Sequence, residues 1–153
     1  MTEADKKKIA EIMEKHGVIV GYLFGSAARG KMGPLSDIDV AVLFDEFLNI
    51  ENQESLLEDI RSAVAHSFGK EKVDVINLNQ ETNPVLRYEA VLEGEVVFVR
   101  DISIKARLAR AVLREYEDTR YLRETSYRIL REQIKSGEFG RARVDLKEYV
   151  PTQ

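Results

Sequence analysis

The 153-residue chain contains no cysteine, so neither a disulfide nor a thiolate metal site can form. Its two histidines, His16 and His66, lie far apart, which argues against a zinc centre. No apolar run approaches the length of a membrane span. The first residues, Thr2-Glu3-Ala4-Asp5-Lys6-Lys7-Lys8, are not followed by the apolar core of a secretion signal. These absences predict a cytoplasmic protein with no membrane partner. Basic charge is scarce through residue 99, where 10 Lys and Arg stand against 18 Asp and Glu, a net of −8. An acidic region of this kind argues against direct nucleic-acid binding, which is dominated by phosphate neutralisation. Residues 100–135 reverse the balance, with 10 basic against 6 acidic side chains. That stretch suits an acidic protein surface or RNA.

What is present centres on residues 21–39. An apolar strand, Val18 to Phe24, runs into Gly25-Ser26. Ten residues later Asp37-Ile38-Asp39 opens a second apolar strand that ends at Phe44. Gly25 has no Cβ, so its backbone can approach a ligand closely. Ser26 adds a hydroxyl, and Ser26-Ala27-Ala28-Arg29 can start a short helix whose free N–H groups attract phosphate. The strand period of two places Asp37 and Asp39 on one face and Ile38 on the other. Paired carboxylates repel unless cations sit between them. Mg²⁺ takes carboxylate, water and phosphate oxygens, so a nucleoside triphosphate would complete such a site. A two-metal transfer calls for a further carboxylate near the attacking group. Asp74, the one charge in the apolar run Val73-Asp74-Val75-Ile76-Asn77, is the candidate, and a charge in a buried strand needs a reason. Arg29 and Lys31 follow the turn. They are placed either to meet a triphosphate or to line a solvated loop with Gly30, Gly33 and Pro34.

The remaining elements follow from periodicity and caps. Thr2 is placed to cap a helix running to about Lys15, ended by His16-Gly17. Asn49 to Phe68 repeats apolar residues at helical spacing and stops at Gly69. Val73–Asn77 and Glu95–Val99 are predicted strands. A helix over Val85–Leu92 has Pro84 in its first turn and stops at Gly94. From Asp101 to about Ser136 a long helical region, with a break near Asp118-Thr119, carries an apolar stripe through Ile104, Leu108, Val112, Tyr116, Tyr127, Leu130 and Ile134. The stripe serves either the domain's own sheet or a partner protein. The predicted organisation is a catalytic domain over 1–99, a helical extension over 100–136 and a tail over 137–153. His16 and His66, and the acids Asp45 and Glu46, are assigned structural or surface positions.

The fragment Phe24-Gly25-Ser26-Ala27-Ala28-Arg29-Gly30, with Ser36-Asp37-Ile38-Asp39 and the later Asp74, resembles the DNA polymerase β-like nucleotidyltransferase superfamily. It is similar in particular to the minimal nucleotidyltransferases (MNT, or MntA-type), antitoxins of HEPN-domain toxins. The resemblance covers roughly residues 16–99. It implies an α/β (α+β) fold: a small mixed sheet, with helices expected on one side. It implies two Mg²⁺ ions on Asp37, Asp39 and Asp74, with Gly25, Ser26 and Arg29 on the triphosphate. ATP as donor, a tyrosine of a HEPN-domain ribonuclease toxin as acceptor, and docking of that toxin on the C-terminal helix rest on the resemblance. Two alternatives remain: transfer to a small molecule, as in antibiotic nucleotidyltransferases, and a non-catalytic antitoxin that only binds its partner.

Overall fold

Residues 1–31, 33 and 36–140 are described by a computed structural model. Pro34 and the tail beyond residue 140 lie outside the described residues. Thr2 opens helix α1 (Glu3–Lys15) with a capping box: Asp5 N–H donates to Thr2 Oγ1 and Thr2 N–H donates to Asp5 Oδ2. Such a cap contributes about 1 kcal/mol. Burying one side chain such as Ile9 or Met13, both at 0% exposure, contributes about 1.5–3 kcal/mol. The apolar stripe therefore fixes this helix more firmly than its cap. Strand β1 (Val20–Phe24) is buried throughout and leads into the short helix α2 (Gly25–Ala28). Strand β2 (Ile38–Leu43) is followed by α3 (Ile50–Phe68), capped by the Asn49 side chain. Strand β3 (Val73–Asn77), helix α4 (Pro84–Tyr88), strand β4 (Glu95–Val99) and helix α5 (Ile102–Ser136) complete the order. The expected alternation of helices and strands is present, and β3 and β4 have the bounds their sequence predicts.

The four strands form one mixed sheet in the order β3-β2-β1-β4. Strand β1 pairs antiparallel with β2 and β4, while β2 and β3 are parallel. Helices cover both faces, where one was expected. Ile38, Val40 and Val42 of β2 pack with Ile9 and Met13 of α1 and with Ile60 and Val64 of α3. The alternate positions, Tyr22, Phe24 and Ala41, pack with Ala90, Val91, Leu108 and Val112. The cause is the first part of α5, whose stripe through Leu108 and Val112 closes the second face. Helix α5 runs unbroken through Asp118-Thr119. Two compact units divide the chain, Met1–Tyr116 and a second from Glu117. In the first, Arg87 pairs with Glu115 at 3.0 Å and Tyr88 stacks on Tyr116 with ring centroids 4.0 Å apart, tying α4 to α5. In the second, Tyr121, Leu122, Tyr127, Ile129, Leu130 and Ile134 are exposed. Among the described residues no helix is long and apolar enough to cross a membrane.

One buried polar ladder ties α3 to the sheet. Asn77 Nδ2 donates to Gln53 Oε1 at 2.8 Å, and Gln53 Nε2 donates to the Leu48 carbonyl at 2.7 Å. Gln53 and Asn77 are 3% and 9% exposed, so neither finds water if its partner is lost. Gln53→Leu is therefore expected to destabilise the fold by about 1–3 kcal/mol. The check is a lower urea midpoint with an unchanged denaturant slope.

Candidate active site

Three elements converge at one end of the sheet. Strand β1 ends at Phe24, and Phe24 is the antiparallel partner of Asp39. Asp39 is in turn the parallel partner of Asp74. Cross-strand partners share a sheet face, so Asp39 and Asp74 lie side by side, opposite to the face that buries Ile38 and Val40. Asp37 precedes β2 by one residue and is half-buried, as is Asp39. Asp74 is exposed, on the edge strand β3. It is thus not the buried charge its sequence context suggested. Burial, and then the carboxylates of Asp74 and Asp37, push the Asp39 carboxyl above the ordinary aspartate value.

Gly25 completes this corner. Its φ of +66° turns the chain from β1 into α2, a conformation that costs an L-residue about 1–2 kcal/mol. A Cβ placed on Gly25 would lie 2.3 Å from Asp39 Oδ2. Backbone and carboxylate are therefore packed as closely as a missing side chain permits. Ser26 is half-buried in α2, and Ala27 anchors that helix in the core. Arg29 caps the end of α2 and is exposed. Its Nη2 lies 3.8 Å from Glu93 Oε2. Lys31 is exposed.

The other sequence candidates lie apart from this corner. Asp45 and Glu46 are at the surface. His16 caps the end of α1, its Nδ1 2.6 Å from the Ile12 carbonyl oxygen, and His66 is exposed on α3.

Sequence reasoning placed a helix over Val85–Leu92 ending at Gly94 but missed its change of pitch after α4. There the helix widens into a π-helical turn, Glu89–Glu93, ending at Gly94. A Cβ on Gly94 would meet the Ala90 carbonyl oxygen at 2.2 Å and that of Leu23 at 3.0 Å. The only signal in the sequence was the glycine, which reads equally well as an ordinary helix stop.

Among the described residues, no three His, Cys, Asp or Glu side chains form a ready-made metal-binding group. A hard divalent cation does not require one. Mg²⁺ is commonly held by one or two carboxylates, with water and substrate phosphates filling its octahedron. The half-buried pair Asp37 and Asp39, with Asp74 alongside, has the right donor chemistry for that arrangement. Burial, and then the neighbouring carboxylates, disfavour the ionised form of Asp39, a form that a bound cation would favour.

Residues 7–103 match the family model described as polymerase beta, nucleotidyltransferase. A protein of Methanocaldococcus jannaschii, named as a protein adenylyltransferase, is 39% identical over 84 residues, which span 54% of this chain and 82% of that protein. The fold is similar to a crystallised toxin–antitoxin with AMP-PNP (TM-score 0.67, 22% identity, 82% of this chain and 97% of that chain). It is also similar to a tri-AMPylated Shewanella oneidensis HEPN toxin in complex with MNT antitoxin (TM-score 0.63, 20% identity, 85% and 98%).

Proposed function

The chain belongs to the polymerase beta nucleotidyltransferase family, and from that premise we propose that it transfers AMP from ATP to a tyrosine hydroxyl of a HEPN-domain toxin, acting as the toxin's antitoxin. The observation that carries the catalytic part is the contact of Gly25 with Asp39 at the point where Asp39 pairs with Asp74. It joins a phosphate turn to a carboxylate set. The protein adenylyltransferase relative supports AMP as the group moved and protein as the acceptor. Toxin–antitoxin complexes of the same fold support a toxin as that protein.

Asp37 and Asp39 would hold two Mg²⁺ ions with Asp74 completing the set, and the ions would neutralise the triphosphate and stabilise the departing pyrophosphate. The Gly25 backbone, the Ser26 hydroxyl and Arg29 hold the β- and γ-phosphates. Asp74 faces solvent at the sheet edge, where an acceptor arriving on another protein can reach it. It takes the proton of the attacking hydroxyl as the new P–O bond forms and the bond to pyrophosphate breaks. The exposed apolar side chains beyond Glu117 give the partner a surface to cover.

The test is intact-mass spectrometry of a co-purified partner incubated with Mg²⁺ and each triphosphate in turn. Gain of whole AMP masses supports the proposal, and mapping them to tyrosine completes it. A tight partner that gains no mass overturns the catalytic half and leaves a binding antitoxin. In the same preparation, the double variant Leu130→Glu, Ile134→Glu is expected to lose the partner. Both side chains are exposed, so the variant retains the wild-type melting temperature. Retention of the partner would move the docking surface off this helix.

A further inference from the structure

Arg29 is a cation beside a phosphate turn, yet its neighbour is an acid. The π-helical turn places Glu93 Oε2 3.8 Å from Arg29 Nη2. The position of Glu93 is not a matter of a loose surface chain. The next residue, Gly94, is wedged between the Ala90 and Leu23 carbonyl oxygens with no room for a Cβ. Leu23 lies on β1 only two residues before Gly25. Ala90 and Val91 of the same turn are buried in the core. The backbone carrying Glu93 is thus fixed against the strand that delivers the phosphate turn. Both partners of the pair are about half exposed, with side-chain exposures of 59% and 51%. An ion pair so exposed is weak and readily exchanged. Its geometry suits a partner that is to be given up rather than a structural tie.

We infer that Glu93 is a positioning residue that holds the Arg29 guanidinium at the rim of the phosphate site and competes with phosphate for it. When a triphosphate enters, its higher charge density takes Arg29 from Glu93. The same competition acts on the pyrophosphate that remains after transfer, so Glu93 weakens its hold and speeds its release. This inference rests on the proposed reading of Gly25, Ser26 and Arg29 as the phosphate site. It adds a residue to which no role was given there. The wide π-turn then has a use, since it sets the carboxylate beside Arg29 while its end packs on β1. π-Turns often occur at functional sites.

Inorganic pyrophosphate with Mg²⁺ is the suitable probe, because it reports on the phosphate site whichever base the enzyme selects. Calorimetric titration of the full chain is expected to show Glu93→Gln binding pyrophosphate about fivefold more tightly, the scale an exposed ion pair supports. In an Arg29→Ala background the same substitution is expected to change nothing. In turnover, Glu93→Gln should lower KM for the triphosphate and lower kcat wherever pyrophosphate release limits the rate. A merely structural role would not divide KM from kcat in that way. Tighter binding in both backgrounds would mean direct repulsion between Glu93 and phosphate, and would overturn the proposal. Unchanged or weaker binding in Glu93→Gln would also overturn it. If Arg29→Ala alone leaves pyrophosphate binding intact while transfer proceeds, the exchange is wrong and the catalytic reading stands. If the wild-type chain neither binds pyrophosphate nor transfers a nucleotide, both fall together.

Discussion

Asp39→Asn is expected to remove nucleotidyl transfer while leaving the fold intact. Asp39 is the residue on which the site's contacts meet: paired with Phe24 on one side and Asp74 on the other, with its Oδ2 in the space a Gly25 side chain would take. An amide keeps the size of the carboxylate and loses its charge. Ligand charge is what holds a hard divalent cation against water. Metal-derived stabilisation of a phosphoryl-type transition state amounts to several kcal/mol, and each 1.4 kcal/mol is a factor of ten in rate. The expected loss is about a thousandfold or more in kcat/KM, measured as AMP incorporated into a co-purified partner. Normal turnover by the variant would remove Asp39 from the metal site.

The same substitution carries an opposite prediction for stability. Burial and two like charges raise the Asp39 carboxyl above its ordinary value of 3.8. Between 3.8 and the raised value, the folded protein holds a proton that the unfolded chain has released. Stability from this group is therefore present below 3.8 and lost as pH rises through the folded value. At neutral pH, without a cation, the ionised Asp39 opposes the fold. Asp39→Asn should then melt at a higher temperature than the wild type at pH 7, with the gap closing as pH falls through the raised folded value toward 3.8. Added Mg²⁺ should raise the wild-type melting temperature more than that of the variant. A lower melting temperature for the variant at pH 7 would contradict the origin given for the shift.

Local signals in this chain were legible, and long-range ones were not. Thr2 caps its helix as predicted, because a cap is decided within four residues. The apolar runs at Val73–Asn77 and Glu95–Val99 became strands for the same reason. Gly25, Asp37, Asp39 and Asp74 could be picked as candidates because their types and spacing carry chemistry. Their arrangement could not be read from spacing. Asp74 is exposed on a strand that lies at the sheet edge, and edge placement follows from the pairing of distant segments. The cover on the second face depends on Leu108 and Val112 folding back over β1 and β2. Their helical period says that they pack, not against what. The π-turn at Glu89–Glu93 has no sequence code of its own, so the pairing of Glu93 with Arg29 was invisible until Gly94 was seen against Leu23.

Gly25→Ala is expected to cost about a hundredfold or more in activity, although it changes no functional group. Two effects are superposed in it. The first is backbone strain: φ is +66°, and an L-residue there costs about 1–2 kcal/mol. The second is steric: the new Cβ would lie 2.3 Å from Asp39 Oδ2 and 3.2 Å from its Cγ. The side chain has to move or rotate, because the backbone on both sides is held by the β1–β2 ladder. Misplacement of a reacting or ligating group by about 1 Å can cost on the order of a hundredfold in rate. Gly30 separates the two effects. It has the same φ of +66°, but a Cβ there meets nothing within 4 Å among the described residues. Gly30→Ala should therefore show the strain alone, a loss of about 1–2 kcal/mol in chemical denaturation with transfer activity largely kept. Gly25→Ala should show a similar loss of stability together with a loss of transfer of about a hundredfold or more. If both variants lose activity equally, the positive-φ turns matter through the flexibility of the loop, and the contact between Gly25 and Asp39 is incidental. If only Gly25→Ala does, Gly25 is required for the room it leaves beside Asp39.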